Sequence, residues 1–340
     1  MSRSQASVLI LLGLLLALFW LAPEVPLLGF ASTLLALALR AGGTPLARLT
    51  GLPAWAGVLV VALLVVLALG LAGWAAAGPL TRQAQQLAQE LPRSLETLRN
   101  TLAGTGWGEW ILSQADPGRL FGGGAGEGAA AAAASAASST LGWLGNMVLV
   151  VLLALYFATA PETYLRGLRH LFSPTLDGSI RETFEELGHT LRGWLLGQGF
   201  GMIVAGTMTW IGFMLLGLPL AGLLATIIGL LNFIPVIGPM IGAVPAVLLA
   251  LTVSPSLAIW VIGIVVLVQT VEGNFLTPMV QSHTADLPPA LLLVTQVLTG
   301  ALFGLLGVAL AAPLSALGMV LVQRGYVEGW LGRLPQADDK

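Results

Sequence analysis

The sequence predicts an all-α polytopic membrane protein of about eight transmembrane helices, with discontinuous or re-entrant helices in its C-terminal half. Three observations carry that expectation. Of 340 residues, 56% are hydrophobic and only 9% charged, whereas a soluble domain carries about 25% charged residues. Apolar runs recur at about residues 8–22, 26–41, 55–79, 140–160, 194–217, 219–253, 256–280 and 287–323, and ~20 helical residues cross ~30 Å of hydrocarbon. Three breaks rich in proline and glycine fall in the second half of the chain.

The N-terminal region, 1–79, reads as three spans. Arg3 and the run Val8–Ala22 look like a signal peptide, but Pro23-Glu24-Val25-Pro26 follows where a small-residue cleavage site belongs, so an uncleaved span is expected. The first two short runs form a hairpin around that Pro-x-x-Pro turn. The segment 80–139 is extramembrane: Leu80, Ala84, Leu87, Leu91, Leu95, Leu98 and Leu102 make a helical stripe among glutamines, and Pro92 should kink or restart it. A glutamine-rich polar face favours packing on the protein over lying in the bilayer interface. The low-complexity run 122–139 suits either a flexible joint or a helix extending into the fourth span, 140–160.

Residues 161–193 form a cytoplasmic helical segment with Ile180, Phe184, Leu187, Leu191 and Leu195 on one face. The region 194–325 is the expected transport core, and 326–340 a cytoplasmic tail. With eight crossings and an inward N-terminus, ten of the fourteen Lys and Arg fall inside, and Arg82, Arg93, Arg99 and Arg119 fall in the long outer segment. That bias places both termini in the cytoplasm.

The first break is Asn232-Phe-Ile-Pro235-Val-Ile-Gly238-Pro239, followed by Gly242 and Pro245. Prolines there remove donors and push the chain out of helical geometry, freeing carbonyls. The second is Glu272-Gly-Asn274-Phe-Leu-Thr277-Pro278, reached after an uninterrupted apolar run. An acid at that depth costs on the order of 3 kcal/mol unless paired, protonated or wet, so a functional role is the default, with a snorkelling interfacial acid as the alternative. Gln269, Thr270, Asn274 and Thr277 add oxygens suited to a hard cation. The third, Asp286-Leu-Pro288-Pro289, reads as a helix start, with ion coupling by Asp286 secondary. Gly193, Gly197, Gly201 and Gly242 lie on faces suited to close helix packing or oligomer contacts.

Composition also excludes chemistry. A net charge of −2 gives nucleic acid no footprint. The chain has no cysteine, and its three histidines share no ligand spacing, so no metal or cofactor is expected. The sequence offers no nucleophile–base arrangement, so an intramembrane enzyme is disfavoured.

Trp194-Leu-x-Gly197-Gln198, Gly217-Leu-Pro219, Asn232-Phe-Ile-Pro235-x-Ile-Gly238-Pro239 and Glu272-x-Asn274-x-Leu276-x-Pro278 occur in that order. Leu287-Pro288-Pro289, Gly304-x-x-Gly307 and Pro313-Leu complete the set. Over residues 185–325 this resembles the autoinducer-2 exporter, or PerM-like permease, family, departing at Val236 and at Gln281-Ser282-His283. The resemblance implies a multi-pass bacterial inner-membrane permease, exporting a small signalling sugar derivative or exchanging sodium for protons. The expected partners are the lipid bilayer and a small-molecule or cation substrate. The expected pathway comprises Asn232, Pro235, Gly238, Pro239, Glu272, Asn274, Pro278 and Asp286. A membrane scaffold acting through 80–139 is the non-transport alternative.

Overall fold

The computed structural model describes residues 13, 21–22, 24–102, 128–171, 177–276 and 288–328. Most of the expected span 8–22, the start of the glycine-rich joint, Pro278, Asp286 and the tail beyond 328 lie outside them. Among the described residues the chain is helical, without strands.

α1 (Glu24–Thr50) carries an acid in its first turn and Arg48 in its last, complementing the helix dipole. α2 (Ala54–Leu102) runs on through position 92 without restarting, because one missing amide bond bends a long helix rather than ending it. The alanine-rich segment resolves as helix: α3 spans Gly128–Thr159. At Ala160 the chain bends by 87° into α4 (Pro161–His170). Arg40 of α1 satisfies the freed Ala158 carbonyl there at 2.8 Å, as basic groups do at helix C-termini.

α5 (Asp177–Leu215) carries the polar 177–193 segment straight into a span. Two short helices follow, α6 (Ala221–Leu231) and α7 (Ile237–Val253). They fold back on each other around residue 235: Gly238 abuts the Leu231 carbonyl, and a Cβ on Gly242 would lie 3.1 Å from the Ile228 Cα. Ser254 then caps α8 (Pro255–Val271) by accepting from the Leu257 amide, and Glu272–Leu276 continues it as one π-helical turn.

α9 (Pro289–Leu321) begins on the Pro-Pro pair, as expected of a start signal. It is not one rod. Gly304 has φ 62° and ψ −147°, a conformation reserved for glycine. Beyond it Gly307 meets the Thr299 carbonyl and Gly300 meets Val308, so the chain reverses into two arms. A final π-helical turn covers Val322–Glu328.

Among the described residues, five helices are long and apolar enough to cross a membrane, or six counting the bent α3–α4 pair. The expected count of eight is not reproduced. One expected span lies largely outside the described residues and the 219–253 run is two short helices, while α9 counts as one span although it folds back. At 1.5 Å per residue the 11 residues of α6 reach only ~17 Å.

The chain divides into two compact units. One comprises residues 1–67, 146–197 and 279–340. Its cores join Leu27, Leu34, Leu191, Leu310 and Ala316, and Leu39, Val58, Ala154 and Ala158. Arg324 pairs there with both Glu186 and Glu328. The other comprises residues 68–145 and 198–278, centred on Phe213, Leu224, Ile228, Leu249 and Val261. Leu87 of α2 is buried in that second core. Beside it Gln83 accepts from the Leu223 amide at 3.1 Å, supplying the cap that Leu220 cannot provide. Leu63, Trp74, Ile203, Ile259 and Val297 are exposed, as apolar faces in contact with hydrocarbon are.

Candidate functional site

Three elements of the second unit bring polar groups to one place: mid-α5, the α6–α7 turn, and the end of α8. The turn is shaped first. Proline at 235 and 239 brackets it, and Pro239 falls in the first turn of α7, where an amide donor is not needed. Val236 takes φ 68° and ψ −62°, and the Ile237 amide closes onto the Pro235 carbonyl at 2.8 Å. This is a γ-turn with positive φ, rare and strained for a β-branched residue. Its cost is on the order of 1–3 kcal/mol.

The carbonyls expected to be free at this break are engaged by protein donors. Leu231 O accepts from the Ile234 amide at 2.9 Å, and Ile234 O from Gly238 at 3.0 Å. Asn232 O accepts from the Gln198 side chain at 2.5 Å. Four carbonyls of the break, those of Leu231, Asn232, Ile234 and Pro235, are thus taken.

Asn232 is 3% exposed. Its amide donates to Glu272 Oε1 at 2.6 Å, across 40 residues of sequence. Gln269, one helical turn before the acid, donates to Oε2 at 3.4 Å. Gly201 completes the fit: a Cβ there would lie 2.8 Å from Glu272 Oε1. Any larger residue would displace the carboxylate from α5. The result is a half-buried carboxyl within an apolar helix, held by two neutral amides and connected through Asn232 to Gln198.

Of the expected pathway residues, Asn232 and Glu272 are thus in direct contact, with Pro235, Gly238 and Pro239 framing the turn. Asn274 is not part of the cluster. It is exposed and donates to the Thr270 carbonyl of its own helix at 3.0 Å. Pro278 and Asp286 lie outside the described residues. Gly201 reads in the sequence as a packing residue, yet touches the carboxylate. Gly197 is buried and Gly193 half-buried on the same helix, and Gly242 seats α7 against Ile228. Gln198 is legible only as a polar residue three positions before Gly201, hence on its face.

An open groove of about 570 Å³ runs nearby between α5 and α6, lined by Met202, Gly206, Trp210, Gly222 and Thr226 among others. A Cβ on Gly229 would lie 2.9 Å from the Gly206 Cα, so these helices meet backbone to backbone below it.

The profile of AI-2E family transporters matches residues 9–326. YueF of Bacillus subtilis, named as a transport protein without a substrate, is 34% identical over 151 residues, 43% of this chain and 41% of its own. YrrI of the same organism is 34% identical over 143 residues, 42% of this chain and 39% of its own. PerM of Escherichia coli K12, named as a permease, is 27% identical over 173 residues, 50% of this chain and 49% of its own. The chain therefore matches half or less of the length of each of these relatives.

Proposed function

The chain belongs to the AI-2E transporter family, and on that premise we propose that it is a secondary transporter of a small polar solute whose route passes the Glu272 carboxyl. The family is one of transporters and not of enzymes, and a multi-pass membrane protein follows from its apolar helices. The observation that carries the rest is the contact of Asn232 with Glu272 at 2.6 Å, at the point where one span ends in a π turn and a helical hairpin turns back. Ionisable groups at membrane depth mark substrate or ion pathways, and π turns cluster at functional sites. Short broken helices are where transporters build their binding sites.

Each residue has a part. Glu272 carries the proton or cation that couples transport. Asn232 and Gln269 orient its two oxygens, and Gln198 fixes Asn232 by holding its carbonyl. The α6–α7 pair serves as a re-entrant hairpin presenting Asn232 at its tip. A small hydroxylated signalling molecule of the autoinducer-2 type is one solute of the right chemistry.

Glu272→Gln should abolish flux into liposomes against a panel of polar metabolites and cations, while membrane abundance stays at the wild-type level. Unchanged flux would sink the assignment. A second reading, sodium/proton exchange, draws on the same intramembrane carboxyl. Sodium-evoked proton movement in everted vesicles with a pH dye supports it, and silence with every alkali cation rejects it.

A further inference from the structure

Hydroxyls on the helices of this protein follow a common habit: they close onto the carbonyl one turn back. Thr207, Thr226, Thr270 and Thr295 do so at 2.7–2.8 Å, as does buried Ser315. Thr209 of α5 does not. It is completely buried, and its hydroxyl has no hydrogen-bond partner among the described residues. A buried polar group of this kind calls for a partner that the protein itself does not provide.

Its position on α5 follows from the helix contacts around it. Gly201 of α5 meets Glu272 of α8, and Gly212 meets Ile264, so the two helices run antiparallel along this strip. Gly206 meets Gly229 of α6 on the adjoining strip. Thr209 lies eight residues from Gly201, ~12 Å along the axis and about 80° around it, between the strip facing α8 and the strip facing α6. Buried Ala205 separates them on that side of the helix. Ala205 and Thr209 thus lie about 40° and 80° around α5 from the strip that meets the Glu272 carboxyl.

We infer that Thr209 lines an aqueous segment of the route past Glu272, where a water molecule takes its hydroxyl. A water molecule is the partner that would satisfy such an orphaned buried hydroxyl. The inference rests on the transport reading of Glu272 but is tested separately from it.

The chain contains no cysteine, so Thr209→Cys gives a single thiol of nearly the same size. Only a thiolate in water reacts readily with a charged methanethiosulfonate reagent. In membranes the Thr209→Cys thiol should react at least roughly tenfold faster than an Ile211→Cys thiol, placed on an exposed apolar side of the same helix away from the groove. Equal inertness at both overturns the aqueous segment. Thr209→Val and Thr209→Ser then test the hydroxyl: flux should fall several-fold in the first and persist in the second. Wild-type flux in Thr209→Val, at equal membrane abundance, also overturns the inference. The two readings separate cleanly, since loss of flux in Glu272→Gln with an inert Thr209→Cys thiol removes only the station. A reactive thiol with full flux in Glu272→Gln removes only the role of the acid.

Discussion

A single methyl group decides whether the carboxylate reaches α5. Gly201 leaves Glu272 Oε1 room at a distance where a Cβ would stand 2.8 Å away. Because the obstructed atom ends a flexible side chain, Gly201→Ala should fold. It should nonetheless push the carboxyl off Asn232 and lower flux several-fold, with a thermal midpoint close to wild type. A large loss of midpoint would mean that the glycine serves packing alone. The sequence made Asn232 and Glu272 legible as polar residues at apolar breaks, but not their contact, since 40 residues separate them. It also made Asn274 look equivalent to its neighbour. Two residues along a helical turn carry a side chain to roughly the opposite face, and Asn274 accordingly is exposed away from the cluster and binds its own backbone. Thr209 sent no signal, because the pattern shows a threonine in a span but not which rotamer it takes.

At the scale of elements, proline and glycine accompany the reversals, while their depth of effect differs. At 232–239 they produced a hairpin tip, at 288–289 a helix start, and at position 92 no restart of α2. The difference lies in company: isolated proline removes one bond, whereas two prolines with a glycine leave no continuous ladder. The tip is strained at Val236, so Val236→Gly should raise stability by about 1 kcal/mol, measured by thermal unfolding in detergent. A lower midpoint would show that the strain is relieved elsewhere. The second reversal at Gly304 is more demanding. Its φ of 62° with ψ of −147° excludes a side chain. Gly304→Ala should therefore destabilise by about 1–3 kcal/mol, seen as a lower thermal midpoint in the same assay. A wild-type midpoint would contradict the fold-back.

For the molecule as a whole, membrane residence was the most legible property, because it needs only the sum of apolar runs. The crossing count was not legible, since a long apolar run is equally consistent with one tilted span or two short arms that turn back. Orientation rests on the basic residues alone, nine arginines and Lys340 on the proposed inner side against four arginines outside. Single cysteines test it. A thiol introduced at Gly167, in the exposed stretch between Arg166 and Arg169, should be shielded from an impermeant maleimide in intact cells and labelled in everted vesicles. A thiol at Arg93 should show the reverse. The opposite pattern at both sites would invert the protein in the membrane.

The hairpin of α6 and α7 also constrains how the protein is made. Neither arm's tip can be left to lipid, because the Asn232 carbonyl and amide find their partners on α5 and α8. The first partner, Gln198, leaves the ribosome before the tip, but Glu272 is translated 40 residues after it. During that interval a half-inserted loop must be sheltered by the translocation machinery or by α5 alone. Biogenesis is therefore most exposed to failure in a narrow window of chain length, between completion of α7 and arrival of the end of α8. Truncations ending inside that window should be degraded more readily than those ending just beyond it.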